Sequence, residues 1–120
     1  MDLVGRERAT SRSKSPRRGA VYLVDLDPTR GSEIQKTRPC VVVSPDELNE
    51  HLRTVIVAPM TTGGRRYPWR VACRFQRQEG WVALDQLRTV DRERLARHLG
   101  VLPEQTLETV LSTLNEFFAT

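Results

Sequence analysis

Cysteine and histidine are scarce in this chain of 120 residues: two of each, at Cys40, Cys73, His51 and His98. Neither histidine has a second His or Cys at ligand spacing, so the sequence builds no zinc site and calls for no metal and no cofactor. Two cysteines in apolar, strand-like surroundings read as free core thiols rather than a disulfide. No apolar run approaches the roughly 20 residues that cross a bilayer. The opening MDLVGRERATSRSKSPRRG lacks the apolar h-region of a secretory signal. These absences predict a cytoplasmic protein with no membrane partner. There is no internal repeat. TTGGRR has neither the spacing nor the Lys-Ser/Thr of a phosphate-binding P-loop. No Ser-His-Asp or Cys-His set can be assembled either.

Charge is what the chain has, and it is unevenly placed. Residues 1–18 hold six bases (Arg6, Arg8, Arg12, Lys14, Arg17 and Arg18) against Asp2 and Glu7, which is 6 − 2 = +4 and equals the net charge of the whole chain. The remaining 13 bases and 13 acids cancel. That first segment is rich in Ser, Arg and Lys with almost nothing to bury, so it is predicted to be a disordered basic tail. Residues 19–120 then form one domain, long enough for a real core and too short for two.

Apolar, β-branched runs mark strands at residues 20–26, at CVVV (residues 40–43) after Pro39, at TVIVAPM (residues 54–60), at residues 69–75 and at WVALDQL (residues 81–87). The third is almost wholly apolar and is expected to be buried on both faces. In the fourth, Val71, Cys73 and Phe75 alternate with Arg70 and Arg74, as a half-exposed strand requires, and Gly80 is expected to break it. A helical turn or two follows Ser44, expected as the N-cap, with Pro45 in the first helical position. Residues 91–97 are read as a short helix, with HLGVL returning to the sheet. After Pro103, the apolar residues Leu107, Val110, Leu111, Leu114, Phe117 and Phe118 recur at helical spacing. The pattern predicts a mainly β fold with helices (α+β): a small, bent β-barrel with a C-terminal amphipathic helix packed outside.

Two stretches carry chemistry. Between residues 61 and 78 lie Arg65, Arg66, Arg70, Arg74 and Arg77 with no acid among them, interleaved with Tyr67, Trp69 and Phe75. Arginines can hold phosphates while exposed aromatics stack on unpaired bases, as in proteins that read single-stranded RNA. Equally, Trp69 and Phe75 can be core residues on an edge strand that the arginines merely solubilise. The second stretch, GSEIQKTRP (residues 31–39), is longer than a hairpin turn needs. It holds Glu33 and Arg38, and Thr61 would emerge where the third strand ends. A carboxylate, a guanidinium and a hydroxyl suit attack on a phosphodiester by a neighbouring 2′-OH; an ordinary surface ion pair between Glu33 and Arg38 is the plainer reading.

The runs VDLDPTRGSE, TRPCVVVSP, TVIVAPMTT and VALDQLRTVD, in that order, resemble the MazF/PemK family of toxin endoribonucleases over about residues 18–118. The resemblance implies an SH3-like or CcdB-like barrel and a homodimer. It implies metal-independent cleavage of single-stranded RNA (mRNA) and an antitoxin partner, MazE-like, whose C-terminal segment covers the active groove. Matched residue by residue, it makes Arg38, Thr61 and Glu33 catalytic. It places Ser32, Thr62, Arg65, Arg66 and Gln86 among the RNA-binding residues. Some departures stand out. Ile34 follows the glutamate where the family often has Gln, and Gln35 and Lys36 stand where its loop usually has small residues. With Ser32 where one branch has a catalytic His, Glu33 or Arg38 is left as the proton acceptor, Glu33 being favoured. Because CcdB-type toxins use the same barrel to bind DNA gyrase and cleave nothing, that non-enzymatic reading is the alternative.

Overall fold

The computed structural model describes residues 15–120. Seven strands form one strongly curled, wholly antiparallel sheet: β1 (Ala20–Asp25), β2 (Thr37–Val42), β3 (Thr54–Thr61), β4 (Arg70–Phe75), β5 (Gln78–Ala83), β6 (Arg88–Asp91) and β7 (Leu95–Val101). The order is β4-β5-β3-β2-β1-β7. β3 is the branch point. Its first half pairs with β6, from Thr54↔Asp91 to Val57↔Arg88, and its end pairs with β5 through Met60↔Val82 and Thr61↔Trp81. One strand shared by two partners on the same edge is what curls the sheet into a half-barrel.

The apolar runs make physical sense because both faces of the central strands are covered. Along β2 and just beyond it, Val41 and Val43 join one core cluster, with Val21, Ala58, Met60, Val71, Val82 and Leu84. Cys40 and Val42 join the other, with Val24, Leu26, Val55, Val57 and Val90. Each fully buried valine or leucine contributes roughly 1.5–3 kcal/mol. Helix α1 (Asp46–His51) joins β2 to β3, and helix α2 (Glu104–Phe117) closes the first cluster with Val110 and Leu114. Both cysteines are free, Cys40 buried and Cys73 half-buried. Among the described residues no helix is long and apolar enough to cross a membrane.

Several local expectations are corrected. Residues 91–97 are not a helix: a single 3-10 turn, Arg92–Arg94, is capped by the Asp91 carboxylate accepting from Glu93 N at 2.8 Å, and β7 begins at once. Leu95 belongs to the second core and pairs with Val24, and that burial outweighs local helix propensity. Ser44 caps nothing. Its Oγ donates to Asn49 Oδ1 at 2.5 Å and accepts from Ile56 N at 3.0 Å, and Pro45 itself is the N-cap of α1. Gly80 lies inside β5; the chain reverses at Gln76 and Arg77, both in the left-handed region with φ of 52° and 67°. β2 starts three residues earlier than CVVV, at Thr37, so Arg38 and Pro39 are strand residues. The apolar stripe of α2 ends at Leu114, and Phe117 and Phe118 are exposed, their rings 5.0 Å apart.

The ordered domain also begins before residue 19. Pro16 O accepts from the fully buried Asn49 at 3.0 Å. Arg18 donates its backbone N–H to Asp46 at 2.7 Å and its Nε to Val43 O at 2.8 Å, and Arg17 pairs with Asp46 at 2.9 Å. Arg17 and Arg18, counted with the tail from sequence, are thus tied to α1. The rest of the predicted tail lies outside the described residues.

Candidate active site

The pairing of β1 with β2 sets Arg38 opposite Val24, and the pairing of β3 with β5 sets Thr61 opposite Trp81. These strand ends meet at one cleft of about 190 Å³. Pro39, Met60, Phe75 and Leu99 give it an apolar floor, and Arg38, Thr61 and Thr62 stand among its polar walls. Gly80 makes the approach possible, because a Cβ there would collide with the Thr61 carbonyl. Arg38 is exposed and its Nε donates to Gln35 O at 3.2 Å. That is the only hydrogen bond of its guanidinium among the described residues, so most of its donor capacity is open to an anion. Thr61 Oγ1 accepts a long contact from Gly63 N at 3.4 Å. Cys73 also lines the cleft, with burial pushing its thiol up; the buried Cys40 thiol is pushed up to about 12, and neither is a ready nucleophile.

Glu33 lines a different hollow, of about 570 Å³, with Arg30, Asp85, Gln86 and Arg88. Its Oε1 accepts from Arg30 N at 2.8 Å while its own N–H donates to Arg30 O at 3.1 Å. No ion pair joins Glu33 to Arg38 among the described residues, so the plain surface pair weighed from sequence is absent. Ser32 is exposed beside Glu33. Gln86 does not face outward freely: its Oε1 accepts the Ile34 N–H at 3.2 Å. Ile34, the departure within GSEI, packs on the second core cluster and so roots the loop. Arg65 is exposed on the loop after β3, and Arg66 lines a third hollow with Tyr67, Arg70, Trp81 and the Thr109 and Thr113 side of α2. Arg38, Thr61 and Thr62 are therefore brought together, Glu33 and Gln86 are brought together elsewhere, and Arg65 and Arg66 flank neither hollow.

The basic, aromatic stretch divides between its two readings. Phe75 packs against the first core, whereas Trp69 is 37% exposed and stacks on Tyr67 at 5.1 Å with the planes 8° apart. Arg70 is not free: it makes a two-pronged bond to Asp85, Nε–Oδ1 and Nη2–Oδ2 both 3.0 Å, with its guanidinium 5.7 Å from the Tyr67 ring centre. That bond, the largest influence on each group, holds the Asp85 carboxyl below its ordinary range and lifts Arg70. Sequence reasoning missed Asp85. Its one signal is an acid placed inside the otherwise apolar WVALDQL.

A family model described as the PemK-like, MazF-like toxin of type II toxin-antitoxin systems matches residues 17–118. The chain belongs to that family. Among curated relatives, the endoribonuclease PemK of Escherichia coli is 37% identical over 114 residues, 90% of this chain and 86% of its own length. The endoribonuclease MazF of Staphylococcus epidermidis is 36% identical over 105 residues, 82% and 88% of the two chains. Among solved structures, MazF of Deinococcus radiodurans superposes with a TM-score of 0.77 at 27% identity, covering 88% of this chain and 98% of that one. A mycobacterial endoribonuclease solved with its cognate antitoxin gives a TM-score of 0.72 at 27% identity, over 85% and 93%. The barrel expected from the resemblance to this PemK/MazF family is thus the barrel found.

Proposed function

We propose that this chain is the toxin of a toxin–antitoxin pair and an endoribonuclease that cuts single-stranded RNA by internal 2′-OH attack. The 2′ oxygen bonds to phosphorus, its proton passes to a base, and the P–O5′ bond breaks as the 5′ oxygen takes up a proton. The ends are a 2′,3′-cyclic phosphate and a 5′-OH. One observation carries the reading: Arg38, with most of its donors open, shares a cleft with Thr61. The guanidinium stabilises charge developing on the non-bridging phosphate oxygens, an effect worth roughly 3–4 kcal/mol for one preorganised donor. Thr61 orients the same phosphate through its hydroxyl. Glu33 is the proton acceptor, contributing about 10²- to 10⁴-fold; its side chain must leave the Arg30 N–H and turn toward the cleft, while the loop backbone stays in place. A guanidinium, with a pKa above about 12, is a poor base, which leaves that role to the carboxylate.

Ser32, Thr62, Arg65, Arg66 and Gln86 hold the flanking nucleotides; Gln86 keeps its NH₂ for a base edge while its oxygen holds Ile34. The working form is a cytoplasmic homodimer, controlled by a cognate antitoxin whose C-terminal segment covers the groove. The test is incubation of the purified protein with RNA in EDTA, followed by end-group analysis. Cleavage leaving 2′,3′-cyclic phosphate, together with survival of an RNA carrying 2′-deoxy at the scissile nucleotide, supports the mechanism. Normal cleavage of the deoxy substrate, or a requirement for a divalent ion, sinks it. An inert protein that inhibits DNA gyrase instead would favour the CcdB-type alternative.

A further inference from the structure

The loop between β1 and β2, residues 26–36, carries Glu33 and leads directly into Arg38. A polar loop of this length needs something to hold it, since each unpaired carbonyl at its base either finds a partner or stays in water. Three side chains from one short stretch, residues 86–94, supply those partners. Arg94 donates from a single Nη1 to Asp25 O at 2.9 Å and also to Asp27 O. Arg88 Nη1 donates to Leu26 O at 2.9 Å. Gln86 accepts from Ile34 N–H at 3.2 Å near the far end of the loop. Three successive carbonyls, 25, 26 and 27, are therefore taken by two guanidiniums. The loop closes on itself through Leu26 N to Lys36 O at 3.0 Å and Lys36 N to Asp27 Oδ1 at 2.9 Å.

We propose that Gln86, Arg88 and Arg94 are positioning residues: a clamp that fixes the 26–36 loop and, through it, the placement of Glu33 and Arg38. The fold explains why one stretch does this. β6 is paired with the first half of β3, and the turn after it is capped by Asp91, so the backbone that carries Arg88 and Arg94 is itself hydrogen-bonded into the fold. All four bonds go to backbone groups, so the clamp holds the loop whatever side chains it carries. Bonds from a charged donor to a carbonyl are stronger than those of a neutral pair. Positioning of reacting groups is sensitive to displacements of about 1 Å. The catalytic half of the proposal rests on the ribonuclease reading above; the structural half does not.

The experiment is amide hydrogen exchange on the whole protein without RNA, paired with single-turnover cleavage. In Arg94→Ala, Arg88→Ala and Gln86→Ala, the amides of residues 30–36 should exchange about 10-fold faster, the loss expected for one such bond. The Val55 and Val57 amides in β3 should not change. Arg97→Ala removes the same charge from β7, where Arg97 pairs with Leu23 rather than with the loop, and should leave the loop amides as they are. In the cleavage assay Arg94→Ala and Arg88→Ala should lower kcat about 10-fold with KM within about twofold, and Arg94→Lys should recover most of that loss. Unchanged loop exchange, or acceleration shared equally by β3, overturns the clamp. A loosened loop with wild-type kcat overturns its role in positioning. If the wild type itself cuts no RNA, the ribonuclease reading fails, and the exchange data still decide the clamp.

Discussion

Arg38 and Arg70 are the same residue in opposite circumstances. Each sits at or near the start of a strand, yet Arg70 is locked by both prongs of Asp85 with its side chain 16% exposed, while Arg38 holds one carbonyl and otherwise faces a cleft. An anion approaching Arg70 must first displace a carboxylate that would then be left uncompensated. At Arg38 it displaces only Gln35 O and water. Two-pronged guanidinium bonds to carboxylates are among the strong ones, so Arg70 belongs to the fold, whereas Arg38 has donors open to an anion. The stretch 61–78 reads as uniformly basic in sequence, yet Arg70 within it is already held by a carboxylate.

The largest effect that would sharpen this contrast is at Arg38. Arg38→Ala should lower single-turnover cleavage by about 10²- to 10³-fold, with stability within about 0.5 kcal/mol of wild type as befits an exposed side chain. Next is Thr61→Ala, expected to cost about 10-fold in kcat, with Thr61→Ser recovering most of it because only the hydroxyl matters. A Thr61→Ala variant at full speed would remove the hydroxyl from the mechanism. Smaller again is Asp85→Asn, which should lower stability by about 1 kcal/mol and the melting temperature by several degrees. The smallest is the pH dependence of that loss. Because Arg70 depresses the folded-state pKa of Asp85, its stabilisation is present above the unfolded carboxylate value of about 3.9 and is lost as pH falls through the lower folded value. Urea denaturation should therefore show the gap between wild type and Asp85→Asn full at pH 7 and closing below about pH 4. A gap that widens in acid would contradict the pairing.

The fold was legible where burial alone writes the pattern. The runs around Val21, Val41, Val55 and Val82 are strands because both faces of the sheet are covered, and a run with no polar alternation says so. It was illegible where distant partners decide. Leu95 looked helical among charged neighbours until β1 was beside it, and Gly80 looked like a break until Thr61 stood against it. Arg88 and Arg94 gave no signal because their partners are carbonyls more than 60 residues earlier. That Arg38 and Thr61 come to one cleft was readable from motif order. The placement of Glu33 in a separate hollow was not, since a short hydrogen-bonded closure onto Arg30 determines it.

The most direct test of the account is cleavage of one RNA, per folded molecule, by Arg38→Ala and Arg70→Ala side by side. Free Arg38 predicts a loss of two to three orders of magnitude in the first variant and a rate within about threefold of wild type in the second, whose defect should appear instead as a lower melting temperature. Equal losses in the two variants, or the larger loss at Arg70, would contradict the assignment of the cleft between Arg38 and Thr61 as the place where RNA is cut.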